Sequence, residues 1–102
     1  MLNKLQKNDY IKLLNKWLFW DLNIETLDYK NNQQDIIERI AIYGDENDER
    51  IMNIIYPKHV IKYCLKKSDC LNSKTIKYFS FIFKIKEEDF KCYTKMHAQR
   101  SF

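Results

Sequence analysis

Apolar residues recur at helical spacing through most of this chain, and the phase of each run sets where an element starts and stops. In residues 9–20, DYIKLLNKWLFW, an arc of Tyr10, Leu13, Leu14, Trp17, Leu18 and Trp20 lies opposite Lys12, Asn15 and Lys16, which predicts an amphipathic helix. Phe19 falls on the lysine side and marks either the helix end or an exposed aromatic. The Asp- and Asn-rich stretch 21–33 reads as a connection with room for one helical turn, leading to Asn32 as N-cap of QQDIIERIAIY. Ile36, Ile37, Ile40, Ala41 and Tyr43 share a face there, while Ile42 projects among polar residues. Gly44 follows where a residue in the left-handed region would close the helix.

The acidic run DENDER suits the first turn of a further helix, IMNIIY, because carboxylates are favourable at the positive end of the helix dipole. Pro57 stops that helix and is placed to be the first residue of the next, PKHVIKYCLKKS, whose Val60, Ile61, Cys64 and Leu65 form its apolar face. Asn72 is a plausible N-cap for SKTIKYFSFIFKI. Ile76, Tyr78, Phe79, Ile82, Phe83 and Ile85 cover more than half of that helix wheel, which predicts a central position, although so short an aromatic run also suits a buried strand. The expectation is an all-α, single domain over residues 1–102, with about five short helices around 73–85 and residues 91–102 as a flexible basic and aromatic tail.

Composition supports helices over strands: the 102 residues include one Gly and one Pro, too few for the reversals a sheet demands. An apolar fraction of 45% suffices for one compact core. No apolar run approaches the roughly 20 residues that span a bilayer, and the first residues lack a signal-peptide pattern, so a cytoplasmic protein without membrane contact is expected. Cys64, Cys70 and Cys92 have no zinc-like spacing and are expected to be reduced thiols. Charge is uneven: seven basic and ten acidic residues to position 51, then eleven basic and four acidic. The basic half either meets phosphate or an acidic protein, or is attracted by the other half of the fold.

Candidate chemistry is sparse. His59 and His97 each stand near lysines on polar segments, a single Gly cannot build a phosphate loop, and the carboxylate clusters fall where helix starts want acids. These features argue against an enzyme, and no cofactor, metal site or small-molecule substrate is expected. Lys58, Lys62 and Lys66 form an uninterrupted i, i+4, i+8 stripe, with Lys74 and Lys77 on the following helix, so a helix-turn-helix that contacts DNA through these five residues is one alternative. Lysine suits phosphate contact better than base reading. The other is protein binding through the final stretch, DFKCYTKMHAQRSF, where Lys91, Cys92, Tyr93, Lys95, His97 and Arg100 combine aromatic and positive groups.

Several short motifs, LFWD at 18–21, IIERI at 36–40, YGD at 43–45, LNSKT at 71–75 and FKIKEEDFKCYTK at 83–95, together resemble a family of small helical bacterial proteins with Phe-Trp-Asp, Ile-Ile-Glu-Arg and Phe-Arg-Cys-Tyr in that order. Members are often encoded beside nucleotidyltransferase-like toxins of the AbiEii type. The resemblance implies an antitoxin or accessory partner of such a toxin. Its motif positions here are Phe19, Trp20, Asp21, Glu38, Arg39, Gly44, Thr75, Phe90, Cys92 and Tyr93, and Phe19, Trp20 and Asp21 join the tail as expected partner contacts. Lys91 stands where the family has Arg, which removes a bidentate contact if that Arg makes one.

Overall fold

The computed structural model describes residues 2–93, and among them all regular secondary structure is helical. Five α-helices follow one another: α1 Lys4–Ile11, α2 Gln33–Tyr43, α3 Glu46–Ile55, α4 Lys58–Lys67 and α5 Ser73–Phe83, with single 3₁₀ turns at Lys16–Phe19, Ile24–Thr26 and Glu87–Asp89. The expected all-α domain of about five short helices is the fold observed, and the 73–85 run is helix, not strand. Asn72 caps α5 as expected, its Oδ1 accepting from the Thr75 amide at 2.8 Å.

The centre of the molecule is α2. Ile36, Ile37 and Ile40 are wholly buried, and the helix packs against α4, α3 and the 3₁₀ turn at 16–19. Position 73–85, expected to be central, is peripheral instead. Ile76, Phe79 and Phe83 enter the core, but Tyr78, Phe81 and Ile82 on its outer side are exposed. The wheel was too generous because an apolar arc needs neighbours on both flanks, and α5 has them on one. Lys84 adopts the left-handed region at φ 54°, and both its amide and that of Ile85 turn back to the Ser80 carbonyl. That reversal returns Ile85 and Phe90 to the core.

Residues 9–20 are not one helix. A capping box between Asn3 and Gln6 starts α1 five residues earlier than the apolar arc suggested, and the helix stops at Ile11. The chain then reverses through Leu13 and Leu14, Asn15 takes an extended conformation, and a 3₁₀ turn begins at Lys16. The break shifts the phase: Phe19 and Leu18 are buried, whereas Trp17 and Trp20, both expected on the core arc, face outward.

What fixes this break is Asp48, a fully buried carboxylate in the first turn of α3. Its Oδ1 accepts from the Asn15 amide at 3.0 Å, and its Oδ2 accepts from Asn15 Nδ2 at 2.8 Å and from the Asp45 amide at 3.0 Å. Asp45 reciprocates, accepting from the Asp48 amide at 2.9 Å to complete a capping box. One carboxylate therefore completes the capping box of α3 and anchors a segment of chain 33 residues away.

The α2–α3 corner beside it explains the single glycine differently from expectation. Gly44 has φ −77°, ordinary extended backbone, not the left-handed region. Its requirement is space: a Cβ would lie 2.6 Å from the Ile40 carbonyl oxygen and 3.1 Å from the Asp48 Cβ. Two nearby assignments shift slightly. Asn32 does not cap α2 with its side chain, which accepts from the Asp28 amide instead, and Pro57 is the N-cap of α4, one position before that expected.

Replacing Asp48 with Ala would leave part-buried N–H groups of Asn15 and Asp45 without their acceptor and remove half of the α3 capping box, so Asp48→Ala is expected to lower unfolding free energy by about 2–4 kcal/mol. Urea denaturation measures it. A loss under about 0.5 kcal/mol would show that the three bonds contribute little net stability.

Candidate functional site

A depression opens on the surface where the 3₁₀ turn at 16–19 meets α2. It is an open cleft of about 500 Å³, walled by Trp17, Trp20, Ile42 and Tyr43, with Asp21, Asp35, Glu38 and Arg39 along its length and Cys70 at one end. Trp20 is 83% exposed, Tyr43 65% and Trp17 56%. Three aromatic side chains of a small domain thus stand mostly in water around one depression, the kind of grouping that marks an interaction surface.

Arg39 organises the cleft. Its fork engages Asp21 through Nη1 at 2.6 Å and Nη2 at 3.0 Å, its Nε donates to Asp35 Oδ1 at 2.8 Å, and Nη1 also donates to the Leu18 carbonyl at 2.8 Å. The guanidinium lies 5.9 Å from the centre of the buried Phe19 ring. Hydrogen bonds to Asp21 and then Asp35 raise the Arg39 pKa, so the side chain is permanently charged, with four of its five N–H donors engaged. It works as a brace: it secures the carbonyl of Leu18 and the carboxylate of Asp21 on either side of Phe19 and Trp20. Trp17 is fixed separately, its Nε1–H donating to the Tyr43 carbonyl at 3.2 Å at the end of α2.

Residues 14–65 match a family of unknown function, DUF6922. The chain belongs to this family. No curated protein and no solved structure matches it. The DUF6922 segment runs from Leu14, at the reversal that Asp48 anchors, to Leu65 in α4, and it contains every cleft residue except Cys70. The motifs at 71–75 and 83–95 lie outside it.

The motif positions divide cleanly by environment. Phe19, Thr75, Phe90 and Cys92 are buried, so their side chains serve packing and are not presented to a partner. Cys92 makes two buried contacts: its thiol donates to the Ser68 carbonyl at 3.0 Å and accepts from the Leu71 amide at 3.2 Å. The start of the expected tail is thereby part of the fold, with Lys91 paired to Asp69 at 3.0 Å and Tyr93 packed on the core edge. Lys95, His97 and Arg100 lie outside the described residues. Trp20 and Asp21 are the two expected contacts that do reach the cleft.

Sequence reasoning missed Trp17 and Tyr43 because both satisfied a helical period. The available signal was Phe19: a large aromatic out of phase within an otherwise regular arc means that the helix breaks before it. On α4, Lys58 and Lys66 are exposed and Lys62 is half-buried, while Lys74 and Lys77 are exposed on α5. His59 and Tyr63 extend the α4 surface, and Lys67 Nζ lies 5.6 Å from the Tyr63 ring centre. No described residue forms an ion pair with any of these lysines. Among the described residues, no group of three His, Cys, Asp or Glu side chains could hold a metal ion, and no helix is long and apolar enough to cross a membrane.

The Arg39 guanidinium beside Asp21 holds its carboxyl below the usual aspartate range. A depressed folded pKa contributes stability that is complete above the unfolded value and is lost as pH falls through the folded one. Acidification from pH 7 to below about 3.8 is therefore expected to release the brace, and both indole N–H resonances should shift in that window. In Asp21→Asn the acid-induced shift should shrink; an unchanged titration would exclude Asp21 as its source.

Proposed function

We propose that this protein is a non-enzymatic binding subunit that docks another protein through the cleft of Trp17, Trp20 and Tyr43. The observation that carries this reading is Trp20. It occupies a motif position, and with 83% of its surface exposed it has no packing role that would account for it. Exposed tryptophans and tyrosines around a preformed depression supply large contact area at small entropic cost, which is why such residues dominate binding energy at interfaces. The motif resemblance suggests the partner: a nucleotidyltransferase-like toxin of a bacterial toxin–antitoxin or phage-defence pair. The chain would then act as antitoxin or accessory subunit by stoichiometric occlusion.

The test is co-expression with the product of the neighbouring gene, read as growth rescue and as co-elution on size exclusion. Trp20→Ala is expected to weaken the complex at least tenfold, about 1.4 kcal/mol or more, while leaving the melting temperature unchanged. Rescue and co-elution that survive both Trp17→Ala and Trp20→Ala would remove the cleft from the interface.

A second reading rests on a different face. The Lys58, Lys62 and Lys66 stripe of α4, flanked by His59 and Tyr63, offers positive charge without described ion pairs, and α2, α3 and α4 follow one another through short connections of two residues each. On this reading the protein also contacts the DNA backbone, as an autoregulator does. Duplex affinity should fall steeply with salt, and changing the three lysines to Glu should abolish it. Salt-independent retention would count against it.

A further inference from the structure

The cleft carries more information than its aromatic content, and the following step rests on the protein-docking reading above. Its charged lining consists of Asp21, Asp35 and Glu38 against Arg39 alone, three carboxylates to one guanidinium. Arg39 already spends four of its five N–H donors on Asp21, Asp35 and the Leu18 carbonyl, and its charge is matched by two carboxylates, so it favours an incoming anion little. Glu38 is the carboxylate that Arg39 does not reach; its Oε1 accepts from Gln34 Nε2 at 2.7 Å. Beyond Cys70 the surface continues into a smaller depression in which Lys67, Lys91, Asp69 and Glu38 mix both signs, and Lys91 is matched by Asp69. The cleft that the two indoles line therefore carries net negative charge.

We propose that the cleft receives an arginine side chain from the partner protein, its guanidinium lying against Trp20 and Trp17 and turned toward Glu38. The charge of the lining selects a cation, and indole faces attract cations more strongly than other aromatic rings do. Arginine fits better than lysine because a planar guanidinium stacks on an indole while forking to a carboxylate, whereas an ammonium remains tightly hydrated in so open a site. The same pairing already exists inside the protein: Arg39 lies against Phe19 while bound to Asp21 and Asp35. A free small cation would leave the outer face of Trp20 in water, while a protein surface bearing the arginine covers it.

The experiment titrates the full-length ¹⁵N-labelled protein with N-acetyl-arginine amide to about 50 mM, with the isosteric, uncharged citrulline amide and the lysine amide as comparisons. Saturable movement of the Trp17 and Trp20 indole N–H signals is expected with a millimolar dissociation constant for the arginine amide. Binding should be at least tenfold weaker for the citrulline amide, weaker for the lysine amide, and at least threefold weaker for the arginine amide in Glu38→Gln. No saturable movement, or equal response to arginine and citrulline, overturns the proposal. If that happens while Trp20→Ala still breaks the partner complex, the docking surface stands without its arginine. If the arginine amide binds as expected but Trp20→Ala leaves the complex intact, the cation site stands and the docking assignment fails.

Discussion

The carboxylate of Asp48 is the constraint on which this arrangement turns. A buried charge is costly unless its lone pairs are occupied, and here three N–H donors converge on it at the positive end of α3, two from the distant Asn15 and one from the N-cap Asp45. Satisfying that one group forces the chain at Asn15 to leave helical geometry. Once it does, Leu14, Leu18 and Phe19 fall inward and the two tryptophans turn out. The cleft is thus a by-product of a polar requirement in the core of the neighbouring helix, and hydrophobic burial alone would have placed Trp17 and Trp20 inside.

Arg39 performs the complementary task on the other wall. It connects α2 to the 16–21 segment through three hydrogen bonds, to the Leu18 carbonyl and twice to Asp21, while a fourth, to Asp35 within α2, holds the fork in place. Together Asp48 and Arg39 grip the same short turn from opposite sides. A surface that must present bulky aromatics to water needs such support, because nothing in the aromatic side chains themselves favours the exposed position.

The helical class, the boundaries of α2 and the Asn72 cap were legible in the sequence because each depends on local periodicity or on a residue acting within one turn. The break at Asn15 was not, because its cause sits at residue 48 and no window around residue 15 contains it. The central place of α2 over α5 is equally non-local: both carry wide apolar faces, and only the packing partners of each distinguish them. Gly44 illustrates an intermediate case, where the position of the corner was readable but the reason for glycine was steric and lay in Ile40 and Asp48. Of the site, Trp20 and Asp21 came from the motif resemblance, while Trp17 and Tyr43 were concealed by a periodicity that the fold interrupts.

Trp17 and Trp20 are the only tryptophans in the chain, and both stand at the same depression. Emission excited at the red edge of the absorption band, where tyrosine is silent, consequently comes from this one corner. The protein carries its own optical probe of the surface that Asp48 and Arg39 build, free of signal from α1, α4 or α5.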